Sequence, residues 1–187
     1  MNVEKPETTV EVGENLIHFI ARSPSVFHAV HGVKEALLYS GFTEIREEDS
    51  WHIEKGGKYV VTRNGSALIA FTVPKDGAHS FHIMASHADS PCFKIKENPE
   101  IKEGPYVKLN VEGYGGMIMS TWLDRPLSVA GRLIVRENGH IAQKLAAVDG
   151  TMLVIPSVAI HMDRNVTKSR LAARGCKPIS NQLLHCP

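Results

Sequence analysis

The stretch KYVVTRNGSALIAFTV at residues 58–73 decides the fold class. Two runs rich in apolar and β-branched residues flank Asn64 and Gly65, a pair typical of the two-residue turn between antiparallel strands. The sequence therefore predicts a β-hairpin here. A further apolar run at residues 81–85 (FHIMA) predicts another strand, which ends just before a polar cluster at residues 87–91. Ligands often bind at such strand ends in α/β sheets.

Two amphipathic helices are predicted before this hairpin. Apolar residues recur at helical spacing over residues 12–20 and again over residues 26–37. Pro24 suits the first turn of the second helix, a serine on either side of it can cap that helix, and Gly41 suits its C-terminal end. Helices followed by strands predict an α/β portion over residues 1–92.

The remaining sequence favours short strands and then loses its periodicity. Residues 94–104 are hydrophilic, and Asn138-Gly139 provides a second hairpin turn. We expect a β-rich portion over residues 93–166, with strands at residues 106–111, 128–135, 141–148 and 152–155. The tail at residues 167–187 is predicted to be disordered, because a short polar segment buries too little apolar surface to offset its ordering entropy.

The composition argues against several classes of partner. Among 187 residues, 21 basic and 20 acidic side chains leave a formal charge of +1, so no strong field favours a nucleic acid or an anionic membrane. No apolar run approaches the roughly 20 residues that span a bilayer, and the first dozen residues are too polar for a secretory signal. The three cysteines show no CxxC spacing. We expect a cytoplasmic location.

His87 and Asp89 are the sharpest candidates for chemistry. A histidine at a strand end can bind a metal ion while a nearby carboxylate accepts its other N–H, which fixes the tautomer. The alternative is that both side chains are simply solvated. One histidine does not hold zinc by itself, because zinc sites use three or four protein ligands. His161 closes an apolar run at residues 155–160, and the alternative for it is a histidine at the end of a strand or helix.

Several motifs in the same order resemble the aspartyl aminopeptidase family of zinc metallopeptidases. The resemblance covers roughly residues 10–166. It is carried by RSPSVFHAV at 22–30, TRN at 62–64, HADSPC at 87–92, YGG at 114–116, STWLDR at 120–125, AGR at 130–132 and IPSVAIHMDR at 155–164.

The resemblance implies an exopeptidase that removes N-terminal aspartate or glutamate from peptides by two-zinc hydrolysis. It implies an α/β catalytic domain, its first part at residues 1–92, interrupted by a β-rich oligomerisation domain, partly present at 93–166, and a homo-oligomer of dodecameric type. The residue matching His87 is a metal ligand in that family, and the one matching Asp89 orients it. The residue matching His161 reaches substrate in a neighbouring subunit.

The departures from the family pattern limit what this chain is expected to do alone. Leu123 and Pro126 replace a phenylalanine and an aspartate of the family motif, and Ala88 replaces a threonine. Nothing after residue 166 matches, so the other metal ligands and the catalytic base have no counterpart. We therefore expect the isolated chain to be inactive and to hold no zinc tightly.

Three functional hypotheses follow. The first is a metallo-aminopeptidase present as an N-terminal portion, and the second is a non-catalytic remnant that acts as an oligomerisation module. Metal stoichiometry distinguishes these two. The third is a nucleic-acid-binding module that uses the basic side chains of the tail, which would give association a steep salt dependence.

Overall fold

The computed structural model describes residues 8–76, 80–157, 159, 161 and 182–185. Its residue contacts divide the chain into two compact units. Unit 1 comprises residues 1–89 and 130–146, and unit 2 comprises residues 90–129 and 147–187. Both α-helices lie in unit 1, and unit 2 is dominated by strands, in agreement with the predicted α/β class.

Both predicted helices are present, and short-range hydrogen bonds fix where they begin. Helix α1 spans Thr9–Ala21, and Thr8 caps it by accepting from the amide of Glu11 while the Glu11 carboxylate accepts from the Thr8 amide. This reciprocal capping box satisfies backbone donors that a helix start leaves unpaired. Helix α2 spans Val26–Tyr39, and the Ser25 hydroxyl accepts from the amide of His28. The predicted serine cap is therefore confirmed.

A three-stranded sheet forms the centre of unit 1. Its strand order is β1 (Thr43–Glu44), β2 (Lys58–Arg63), β3 (Ala67–Thr72), and β2 pairs antiparallel with β3 across the predicted Asn64-Gly65 turn. Strand β1 pairs parallel with β2 and was not predicted, because two residues carry no periodicity. Helix α2 packs on β2 and β3, and Val30 and Val60 are 2% and 0% exposed.

Unit 2 is built on a four-stranded sheet in the order β4, β5, β9, β8. Strands β5 (Tyr106–Tyr114) and β8 (Leu153–Val154) match predicted strands. Strand β4 spans Cys92–Glu103, and β9 spans Gln182–His185, the four residues of the predicted tail that the structure describes. Val111, Leu153 and Ile155 form the core, and the ring of Trp122 meets that of Phe93 edge to face at 5.2 Å.

Strands β6 (Ala130–Glu137) and β7 (His140–Ala147) form a separate two-stranded sheet around the predicted Asn138-Gly139 turn. Both of these turn residues have positive φ, of 50° and 82°, as this kind of turn requires. Residues 130–146 group with unit 1, whereas the sequence placed them in the β-rich portion at residues 93–166. The boundaries of the family domains stay a prediction.

The prediction of a strand at residues 81–85 was wrong. Residues 81–85 have no regular secondary structure, and Phe81, Ile83 and Met84 are 85%, 83% and 99% exposed. A strand needs a hydrogen-bonded neighbour, and none of the strands that the described residues form lies beside this segment.

Conversely, the hydrophilic residues 94–104 lie almost entirely in β4, which pairs antiparallel with β5. An antiparallel sheet buries one face and exposes the other, so a strand rich in charge is compatible with it. Phe93 and Ile95 face the core, while Lys94 lies opposite Glu112 with an N–O distance of 3.6 Å. The high content of charged residues in this segment obscures the alternation of inward and outward side chains in the sequence.

Candidate functional site

His87 and Asp89, from the polar cluster that follows residues 81–85, lie in an exposed part of unit 1. His87 and Asp89 belong to an irregular segment, and their side chains are 81% and 41% exposed. The structure brings the two residues into contact, as the sequence predicted. The predicted strand that should deliver them is not formed by the described residues.

The imidazole of His87 is oriented by a short hydrogen bond to the main chain. Its Nδ1 lies 2.8 Å from the carbonyl oxygen of Asp89 and 3.3 Å from Oδ1 of the Asp89 carboxylate. A carbonyl oxygen only accepts, so Nδ1 must be the donor. In the neutral ring this leaves the lone pair on Nε2, which is the form that binds a metal ion.

The contact between Asp89 and His87 differs in detail from the expectation. The carboxylate was expected to accept the N–H, whereas the backbone carbonyl of the same residue is the nearer acceptor by 0.5 Å (3.3 Å against 2.8 Å). Backbone carbonyls and carboxylates both serve as partners of ligating histidines. The carboxylate adds negative charge on the same side of the ring.

A complete zinc site is not assembled by the residues that the structure describes. In residues 8–76, 80–157, 159 and 161, no group of three or more histidine, cysteine, aspartate or glutamate side chains is arranged to hold a metal ion. Zinc requires three or four protein ligands, and His87 offers one. The donor set within these residues therefore does not fit a closed zinc site, and a zinc site that includes His87 would need further ligands.

His161 belongs to unit 2, and its exposed side chain lies in a turn. The segment before it is anchored by Asp124, which has a left-handed backbone conformation with φ of 56°. The Asp124 amide donates to the carbonyl of Ile155 at 2.9 Å, and its Oδ1 accepts from the Ser157 amide at 2.8 Å. Asp124 is therefore bonded to the main chain at Ser157, an arrangement that the sequence did not predict.

Comparison with known proteins gives the family. The model of the family described as "Aminopeptidase I zinc metalloprotease (M18)" matches residues 19–180. These residues include His87, Asp89 and His161, and they make up most of the chain. The chain therefore belongs to the M18 family of zinc metalloproteases, which confirms the resemblance drawn from its motifs. The match runs to residue 180, so the expectation that nothing after residue 166 matches was wrong.

Two relatives illustrate the match. A probable M18 family aminopeptidase 2 of Clostridium acetobutylicum is 51% identical over 162 residues, which are 84% of this chain and 37% of that protein. A probable aspartyl aminopeptidase of Ricinus communis is 37% identical over 163 residues, 84% of this chain and 33% of that protein. The chain thus spans about a third of the length of these relatives.

Solved structures share the fold. The chain aligns with a structure of the Ape4 and Nbr1 complex at a TM-score of 0.83 and 35% identity, covering 92% of this chain and 33% of that one. It aligns with the structure named "S. cerevesiae mApe1 dodecamer" at a TM-score of 0.72 and 28% identity, covering 81% of this chain and 36% of that one. The α/β fold class expected from the sequence is confirmed.

Proposed function

We propose that this chain is the N-terminal portion of a metallo-aminopeptidase that removes N-terminal aspartate or glutamate from peptides by two-zinc hydrolysis. The observation that carries the proposal is the hydrogen bond from His87 Nδ1 to the Asp89 carbonyl, in a chain of a zinc metalloprotease family. Specificity for acidic residues is supported by the aspartyl aminopeptidase among its relatives.

Each site residue has a separate role in this proposal. His87 binds one of the two zinc ions through Nε2, and Asp89 holds the ring in that tautomer. His161 contacts the substrate of a neighbouring subunit, which its exposure on a turn permits. Bound zinc would polarise the scissile carbonyl and lower the pKa of a water molecule. In this proposal, the remaining zinc ligands and the catalytic base come from polypeptide that corresponds to the other two thirds of the relatives' length.

The proposal extends to assembly and location. Homo-oligomers are supported by the dodecamer of a relative that is 28% identical. No helix among the described residues is long and apolar enough to cross a membrane. A cytoplasmic location is part of this proposal.

Complementation tests the catalytic role. The chain would be co-expressed with the part of the Clostridium acetobutylicum relative that lies outside the 162 aligned residues. We expect the pair to release aspartate from an aspartyl peptide and to hold two zinc ions per site by elemental analysis. His87→Ala should abolish both. His82→Ala is the matched control, because His82 is an exposed histidine of the same irregular segment. Equal activity in the His87 and His82 variants would refute the assignment.

A non-catalytic oligomerisation module is the second candidate, and exposed apolar side chains favour it. Leu133 and Ile134 on β6 and Ile141 on β7 are 54%, 58% and 74% exposed. Such a remnant would self-associate and bind no zinc tightly, even when the complementary polypeptide is present. The zinc content of the co-expressed complex therefore separates the two candidates.

A further inference from the structure

We propose that Asp124 is a positioning residue for His161, through the main chain at Ser157. The inference rests on the proposed substrate role of His161. It assigns a function to an aspartate to which the proposed function gives no role.

The geometry around Asp124 joins two segments of unit 2 that are distant in sequence. Its amide donates to the Ile155 carbonyl at 2.9 Å, and its carboxylate accepts from the Ser157 amide at 2.8 Å. Leu123 and Ile155 form a parallel β-bridge beside this contact. Asp124 therefore bonds to the main chain on both sides of Pro156. Proline itself has no backbone N–H and cannot donate such a bond.

The neighbouring side chains supply a rigid base for this contact. Ile155 is 6% exposed and belongs to the core of unit 2, against which Trp122 and Leu123 pack. Three residues after Asp124, the Leu127 amide donates to the Leu153 carbonyl at 2.8 Å. Residues on both sides of Asp124 are therefore fixed by packing and by strand pairing. The carboxylate extends that order to Ser157, beyond the last core residue.

The choice of residue at position 124 fits this role. A φ of 56° is a conformation that glycine, asparagine and aspartate tolerate better than other residues. Of these three, glycine offers no acceptor and asparagine no charge. Hydrogen bonds to ionised groups are stronger than those between neutral groups. A hydrogen bond with the Ser157 hydroxyl has the largest effect in lowering the pKa of Asp124, and the bond from the Ser157 amide adds to it. The carboxylate is therefore ionised at neutral pH.

His161 lies four positions after the anchored Ser157. A chain of that length reaches at most about 14 Å when fully extended. Fixing Ser157 therefore limits where the His161 imidazole can be presented to a substrate. The nearest residue before Ser157 that is held by core packing is the buried Ile155.

Three variants of the 187-residue chain separate the carboxylate from the backbone conformation. Asp124→Gly tolerates the left-handed conformation and removes the side-chain acceptor. Asp124→Asn tolerates the same conformation and keeps an acceptor oxygen, but it removes the negative charge. Asp149→Gly replaces another aspartate of unit 2 and is the matched control. Hydrogen exchange resolved to single amides is the measurement. We expect Asp124→Gly to speed exchange of the Ser157 amide by about tenfold or more, the scale of a lost bond to a charged group.

The remaining variants and amides make this result specific. Asp124→Asn should speed the exchange of Ser157 less than Asp124→Gly does, and the Asp149 control should leave it unchanged. The Leu153 amide, which donates to the Leu127 carbonyl at 3.1 Å, should keep its protection throughout. Unchanged exchange at Ser157 in Asp124→Gly would overturn the proposal. Equal loss of protection at Ser157 and Leu153 would also overturn it, by showing a general structural role.

A double-mutant cycle in the complemented enzyme tests the link to His161. Asp124→Gly and His161→Ala should each raise KM, and the double variant should be no worse than His161→Ala, because residues that act as one unit are not additive. Additive effects would overturn the link. If His161→Ala leaves KM unchanged, the substrate role of His161 fails, and the exchange result at Ser157 still reports on Asp124 alone.

Discussion

The guanidinium carbon of Arg132 lies 4.3 Å from the centroid of the Phe27 ring, in a cation–π contact between β6 and α2. The same guanidinium donates from Nη1 to the carbonyl and the side-chain oxygen of Asn64, at 2.7 and 2.9 Å. Phe27, Asn64 and Arg132 come from three separate family motifs in the sequence. Unit 1 brings these motifs together at a single positive charge.

Replacing Arg132 should therefore destabilise unit 1. We expect Arg132→Ala to lower the free energy of unfolding by about 1–2 kcal/mol, since it removes both a cation–π contact and charge-assisted hydrogen bonds. Arg132→Lys should recover only part of this, because lysine lacks the planar fork of donors. Urea denaturation followed by circular dichroism measures the change. Arg136→Ala, at an exposed arginine of the same strand, is the control, and an equal loss there would contradict the prediction.

The apolar face of α1 should drive self-association of the isolated chain. Val10, Ile17 and Ile20 are 69%, 67% and 63% exposed, and α1 has no buried residue. Replacing Ile17 and Ile20 by glutamine should weaken association, because association would then bury less apolar surface. Glutamine has a high helix propensity, so α1 should be preserved. Sedimentation velocity over a range of concentrations gives the result. His18→Gln changes the polar side of the same helix and should have no effect. A monomeric parent chain at high concentration would refute this prediction.

The isolated chain should bind zinc weakly and release no aspartate from peptides. One imidazole, that of His87, is too few protein ligands for a stable zinc site. Titration calorimetry and an aspartyl-peptide assay on the purified chain test this directly. Tight stoichiometric binding, or turnover, would mean that other acids or histidines of the chain complete the site.

In the complemented enzyme, Asp89→Asn should show whether Asp89 orients the His87 ring or binds zinc itself. We expect zinc affinity to fall by about 10- to 100-fold, the usual effect of losing a partner of a ligating histidine. The backbone carbonyl of residue 89 remains as an acceptor for His87 Nδ1, so the loss should lie at the lower end of that range. Competition with a zinc chelator measures the affinity. A loss as complete as that of His87→Ala would assign Asp89 as a direct ligand instead.

Acid should release the ion pair between Glu47 and Arg63. Hydrogen bonds from the guanidinium to Glu47 Oε1, at 2.6 and 2.8 Å, lower the pKa of Glu47. Because the pKa of Glu47 is lower in the folded state than in the unfolded state, the ion pair stabilises the fold fully above the unfolded-state pKa. This stabilisation is lost as the pH falls through the folded-state pKa. Carboxyl NMR titration should show Glu47 titrating below a glutamate in an unfolded peptide. Arg63→Gln should raise the pKa of Glu47, and an unchanged titration there would contradict the assigned cause.

The candidate residues were predictable only in part, because the His87–Asp89 contact and the Asp124–Ser157 bond depend on interactions of different range. His87 and Asp89 are two residues apart, so their contact follows from local geometry, and their motif identified the family. The bond from Asp124 to Ser157 spans 33 residues and has no local signature. It exists because the strand segments around Leu123 and Ile155 pair in the folded chain.

The sequence by itself determined the features that depend on a few adjacent residues. The start of α2 at Ser25 and the turns at Asn64-Gly65 and Asn138-Gly139 follow from side-chain hydrogen bonds and backbone preferences within four positions. Only the tertiary structure decided that the apolar residues 81–85 remain irregular while the charged segment Cys92–Glu103 is a strand. The physical reason is that strands are stabilised by a neighbour, and the pairing of β4 with β5 outweighs local composition.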